Sequence, residues 1–172
     1  MTTIDDVHSI YLASESKVDQ ARDRFALTEG YISSDEAVSP WVPLNEGVWL
    51  RYVTFDVRSS TCANVMWVRE EGSVGRHRHR GPVAGITLEG SWRYLEYDWV
   101  AKAGDYIRES PGRSHTLYSD TGMKTLFTLT GAVEMLDEIG RVFEVLDVFW
   151  FINHYTSYCE ENGIPINDEL FL

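Results

Sequence analysis

Two histidines with one residue between them, His77 and His79, constrain this chain more than any other feature. On a β-strand, side chains alternate between faces, so the pair shares one side. On a helix the same spacing would point the rings about 200° apart. The flanking residues agree with a strand: Arg76, Arg78 and Arg80 fall on the opposite face from the histidines. Two imidazoles on a buried strand face each need partners for two ring nitrogens. Metal ligation by one nitrogen and a hydrogen bond from the other meets that need. A third histidine, His115, follows in Ser110-Pro111-Gly112-Arg113-Ser114-His115. Three imidazoles at one ion leave coordination positions open, which a catalytic metal requires.

The surrounding pattern is β. Val48 to Val57, Ala63 to Val68, Val83 to Glu89, Trp92 to Tyr97 and Lys124 to Thr130 are rich in β-branched and aromatic residues. Turn signals fall at Glu71-Gly72-Ser73, Glu89-Gly90-Ser91, Ala103-Gly104-Asp105, Asp120-Thr121-Gly122 and Glu138-Ile139-Gly140. Many short strands at this spacing predict a sandwich or barrel. Before them, residues 1–39 form a polar N-terminal extension, with a weak helical pattern around Val18, Ala21 and Phe25. After residues 40–146, the segment 147–172 reads as a helix and tail. Asp147 is its N-cap, Val148, Phe149, Phe151, Ile152, Tyr155 and Cys159 form its apolar face, and Gly163 with Pro165 stops it. Such a helix docks on the barrel or on another subunit.

The charge balance limits the partners. With 27 acidic against 15 basic residues, the net charge is −12. That argues against nucleic acid and against an anionic membrane surface as partners. The polar, acidic N-terminus lacks the basic and apolar regions of a secretory signal. Cys62 and Cys159 form no C-x-x-C and read as free thiols. A cytoplasmic protein is the expectation. Six tryptophans and the apolar helix predict a homo-oligomer. No G-x-S-x-G, P-loop or G-x-G-x-x-G is present. His8 and His154 lie in the terminal segments and read as structural or exposed.

The order and spacing of these elements resemble the two motifs of the cupins. Gly90 stands eleven residues after His79, Gly104 eight before Gly112, and His115 three after Gly112. There are two departures. Val83 occupies the place of the usual first-motif Glu, and Pro111 directly precedes Gly112. Three histidines are then left alone, or a carboxylate comes from elsewhere. Glu96 is the candidate, since strand alternation puts it on one face with Trp92 and Tyr94. The resemblance implies an all-β fold, a single cupin (double-stranded β-helix, jelly-roll) barrel with an N-terminal extension and a C-terminal helix.

A narrower resemblance rests on longer stretches. Arg76 to Val83, Leu88 to Glu96, Asp98 to Ala101, Ser110-Pro111-Gly112, His115-Thr116-Leu117 and Trp41-Val42-Pro43-Leu44 are similar to the 2,4'-dihydroxyacetophenone dioxygenase family of cupins. The likeness runs from about Trp41 to Gly163. It implies an Fe(II) enzyme that uses O2 to cleave an aryl hydroxymethyl ketone between its carbonyl and hydroxymethyl carbons. The products would be an aromatic acid and formate. It also implies His77, His79 and His115 as ligands, and Glu96 as a fourth ligand, a base or a hydrogen-bond acceptor. A three-histidine site also accepts other divalent metals. For an aromatic hydroxyketone, Trp92 and Tyr94 are the expected pocket walls, with Arg93 and Arg113 as weaker candidates for orienting a phenol oxygen. Other readings are a cupin dioxygenase acting on a β-diketone, a metal-binding sensor without catalysis, and a divalent-metal isomerase that needs no O2.

Overall fold

The computed structural model describes residues 29–172, so the helical pattern around Val18 to Phe25 and His8 lie outside the described residues. Eleven strands follow one another: β1 (Val42–Asn45), β2 (Val48–Asp56), β3 (Thr61–Val68), β4 (Gly72–His79), β5 (Val83–Tyr94), β6 (Ala101–Lys102), β7 (Tyr106–Glu109), β8 (Ser114–Ser119), β9 (Met123–Thr130), β10 (Val133–Leu136) and β11 (Val142–Leu146). Among the described residues, one helix, α1 (Val148–Asn162), and a short 3₁₀ turn at Asp168–Leu170 follow the strands. Every ladder between these strands is antiparallel, in the order β1-β2-β3-β9-β5-β8-β4-β10-β11, with β6 and β7 also paired to β5. The sheet curls around its apolar face, and the expected all-β cupin barrel with a C-terminal helix is what forms.

Strand β5 departs from the sequence reading in an informative way. Glu89-Gly90-Ser91 reads as a turn, but the chain runs through it as one strand. The register against β9 shifts between Thr87 and Glu89, and Gly90 adopts φ 68°. This is a bulge, the other structural meaning of a glycine within a β pattern. Buried positions on β5 are Val83, Gly85 and Thr87 before it, then Trp92 and Tyr94 after it. The extra residue flips the alternation, and β5 moves from pairing with β9 to pairing with β6 and β8. At Gly90 a Cβ would stand 2.1 Å from the Gly122 carbonyl oxygen, so no side chain fits there.

Helix α1 forms where its caps dictate. The Asp147 carboxylate accepts from the Trp150 amide at 2.8 Å, and Gly163 ends the helix at φ 65°. Val148, Phe151, Tyr155 and Cys159 bury against Tyr52, Phe55, Cys62 and Leu146. The helix therefore docks on its own barrel. Both cysteines are free and buried in this cluster. His154 is tied down at both nitrogens. Its Nε2 donates to the Pro43 carbonyl at 2.9 Å, so Nδ1 accepts from the Tyr52 hydroxyl at 2.8 Å. Its role is structural. Among the described residues, no helix is long and apolar enough to cross a membrane.

Gly90→Ala should cost about 2 kcal/mol or more of stability, because it combines left-handed strain with a backbone clash. Gly104→Ala carries only the strain of φ 92°, with open space around it, and should cost about half as much or less. Urea denaturation of the two variants measures the difference. Equal losses would contradict the close approach at Gly90.

Candidate metal centre

The three predicted histidines meet. His77 and His79 lie on the inward face of β4, and His115 on the inward face of β8. The β4–β8 ladder places His77 directly opposite His115, so one register brings in the third ring. All three are buried, at 4%, 6% and 2% exposure. One ring nitrogen from each lies within 4.8 Å of the others. Ring centroids are 4.7 Å apart for His77 and His115 and 5.0 Å for His77 and His79. On the outer face of β4, Arg78 and Arg80 pair with Glu134 of β10, as strand alternation requires.

The tautomer of His77 follows from its partner. Its Nδ1 lies 2.9 Å from the Gly75 carbonyl, which can only accept, so Nδ1 carries the proton. Nε2 is left with a lone pair facing the cluster. Burial, with the neighbouring His79 and His115, pushes the His77 imidazole down to about 3. It is a neutral ligand in form.

The structure does not bring Glu96 to this cluster. Strand β5 ends at Tyr94 and the chain turns, with the Leu95 amide bonded to the Thr116 carbonyl and the Tyr97 amide to that of Tyr94. Alternation therefore does not extend to Glu96. Its exposed carboxylate accepts from the Thr116 amide at 2.8 Å and the Thr116 hydroxyl at 2.9 Å. It braces β8 beside His115.

The carboxylate in the cluster is Glu109, at the end of β7, which the sequence reading missed. Its Oε2 stands 3.0 Å from His79 Nε2 and 3.3 Å from His115 Nε2. Its Oε1 accepts from the Tyr94 hydroxyl. Burial raises its pKa, but the contacts with His115, His79 and Tyr94 outweigh that and hold it well below the carboxylate range. Burial and the Glu109 charge push the Tyr94 phenol well above its ordinary value, so it stays a donor. Six residues before His115, at the buried end of a strand leading into a Pro-Gly turn, Glu109 carries only a weak sequence signal.

Tyr94 is stacked on His115, with centroids 3.9 Å apart and planes 13° apart. Trp92 is buried behind it, its Nε1 donating to the Thr87 hydroxyl at 2.9 Å. Of the two expected pocket walls, Tyr94 lines the inner cavity and Trp92 supports Tyr94 from the core. That cavity, about 50 Å³, touches His77, His79 and Glu109, and its other walls include Leu50, Met66, Val83, Phe127, Met135 and Phe151. Arg113 lines a second hollow, of about 240 Å³, with Tyr97 and Trp99, and this hollow also reaches Tyr94, Glu109 and His115 of the cluster, while Arg93 pairs with Asp120 at the surface.

The residues fit a divalent metal. Glu109 Oε2 and His115 Nε2 are buried with no hydrogen-bond partner, although they lie within 3.3 Å of each other. Two unpartnered atoms of this kind are costly unless an ion joins them. Imidazole and carboxylate suit iron, zinc, manganese and related ions.

Residues 30–134 match the family model described as ChrR Cupin-like domain. None of the curated proteins compared matches the sequence. Among solved structures, an RmlC-like cupin protein from Ralstonia eutropha JMP134 is 26% identical with a TM-score of 0.77, covering 84% of this chain and 95% of its own. A cupin-fold protein of unknown function from the same organism is 18% identical with a TM-score of 0.74, over 86% of this chain and 94% of its own. An acetylacetone dioxygenase from Acinetobacter johnsonii is 19% identical with a TM-score of 0.70, over 76% of this chain and 93% of its own. The last two show a shared fold.

Acid should weaken the metal-free protein through His77. Its folded pKa near 3 lies below the ordinary 6.5, so the unfolded chain binds more protons between those values. Stability from this group is complete above that range and falls as the pH drops through it, by at most about 1.4 kcal/mol per pH unit for one proton. Urea midpoints of chelator-treated protein should fall from about pH 7 to about pH 5, and less steeply in His77→Gln. A wild-type midpoint that does not move would contradict the neutral, buried imidazole.

Proposed function

The chain belongs to the ChrR Cupin-like domain family, and we propose that it is an iron(II)-dependent dioxygenase that cleaves a carbon–carbon bond beside a ketone. Its substrate is an aryl hydroxymethyl ketone of the 2,4'-dihydroxyacetophenone type. The balance is one ketone and one O2 giving one arene carboxylic acid and one formic acid, which ionise with release of two protons. The observation that carries this reading is the three-histidine cluster opening on an apolar cavity. The motif resemblance from Trp41 to Gly163 supports the same class.

His77, His79 and His115 would hold the ion. Bound there, iron(II) supplies Lewis acidity toward the ketone and hydroxyl oxygens and redox chemistry toward O2. The protein supplies the rest. The apolar walls exclude water from the reacting carbons. Glu109, with one oxygen held by Tyr94, keeps a negative charge beside His79 and His115. Met66 and Met135, unbranched and adaptable, line the cavity where an aryl ring would enter.

The cavity volume favours one second reading. A cavity of about 150 Å³ holds benzene; the inner cavity measures about 50 Å³, and a ring seated at the cluster would need the hollow of about 240 Å³ lined by Tyr94, Glu109, His115 and Arg113. A β-diketone, with no ring to seat, requires less movement of the walls. Acetylacetone dioxygenase is also the name of a protein sharing this fold.

Oxygen uptake by protein loaded with iron(II) under anaerobic conditions separates these readings. With 2,4'-dihydroxyacetophenone, one O2 should disappear per 4-hydroxybenzoate and formate formed. Faster turnover of acetylacetone would replace the first reading by the second. An iron-replete sample inert toward both would contradict the dioxygenase and leave a metal-binding domain. His77→Ala, His79→Ala and His115→Ala should each lose stoichiometric iron and turnover together.

A further inference from the structure

The geometry points to Glu109 as a metal ligand of the substrate-free protein, standing in for the first-motif carboxylate that Val83 replaces. The inference rests on the metal-binding part of the proposed function and on no step of its chemistry.

Three observations carry it. The first is register. In the β5–β7 ladder, Val83 is paired directly with Glu109. Directly paired residues of an antiparallel pair project to the same face, with Cβ atoms about 5 Å apart. Both are buried, and both line the inner cavity. The carboxylate has crossed one ladder and kept its face.

The second is distance. Two donor atoms about 2.1 Å from one metal lie about 3.0 Å apart at a right angle and about 3.4 Å apart at a tetrahedral angle. Glu109 Oε2 is 3.0 Å from His79 Nε2 and 3.3 Å from His115 Nε2. A hydrogen bond could give a similar separation, but Oε2 has no hydrogen-bond partner. Glu109 Oε2 is thus spaced from the His79 and His115 nitrogens as a co-ligand of one ion would be.

The third is the division of labour within the carboxylate. Oε1 is occupied by the Tyr94 hydroxyl, and Tyr94 is itself fixed by its stack on His115. Oε2 is left free and aimed at the histidines. A ligating carboxylate whose other oxygen is hydrogen-bonded is the usual outer-shell arrangement. Three neutral imidazoles with one carboxylate also offset half the charge of a divalent ion in a buried site.

The test uses cobalt(II) as a spectroscopic probe, without O2 or substrate. Affinity is read by chelator competition, and the ligand set by the visible spectrum. Glu109→Gln keeps the shape and removes the charge. It should weaken cobalt binding by roughly tenfold or more and change the spectrum. Glu109→Val should do the same, and the double variant Val83→Glu/Glu109→Val should recover most of the lost affinity by returning the carboxylate to β5. Glu109→Gln with wild-type affinity and spectrum would overturn the inference, whatever becomes of the double variant. A folded double variant that recovers nothing would overturn the cross-strand equivalence. A wild-type chain that takes up no cobalt would contradict the metal reading itself. Failure to turn over any ketone would count against the proposed function alone.

Discussion

The pairing of β4 with β8 governs this molecule. It sets His77 opposite His115, and strand alternation then delivers His79 to the same inward face. A slip of one residue in β4 would turn His77 and His79 toward solvent and Arg76 and Arg78 inward, and a slip in β8 would turn His115 outward. The register is secured on both sides of β4. Glu134 on β10 pairs with Arg78 and Arg80 on the outer face, and Glu96 bonds Thr116 of β8 from beyond the end of β5. The site is thus a consequence of two ladders and their braces.

A buried cluster of polar groups is costly unless every member has a partner. Here two outer contacts are made. His77 Nδ1 has the Gly75 carbonyl, and Glu109 Oε1 has Tyr94. The inward atoms are the ones left over, at Glu109 Oε2 and His115 Nε2. With two buried atoms unpartnered within 3.3 Å of each other, the cluster has the form of a receptor for a cation. The apolar cavity beside it gives such a cation a neighbouring space for an organic ligand.

The parts legible in the sequence were those fixed by neighbouring residues. The H-x-H face, the caps at Asp147 and Gly163, and most turns depend on a few adjacent positions. Glu109 was not legible, because what places it is its pairing with Val83, more than twenty residues away. Glu96 looked suitable because alternation was carried past Tyr94, where the chain in fact turns. Gly90 misled in another way. A glycine between two β runs reads equally as a turn or as a bulge, and only its close approach to Gly122 separates them. Most of the apolar face of α1 was legible, but Phe149, read as part of it, is exposed, and the docking on Tyr52 and Phe55 required the fold.

The central claim is that one ion sits at the meeting point of these side chains. X-ray absorption at the iron edge, on protein reconstituted with iron(II) and freed of loosely held metal, addresses it most directly. The account predicts one iron per chain with three imidazoles in its inner shell. Substoichiometric iron, or a shell without three imidazoles, would contradict it.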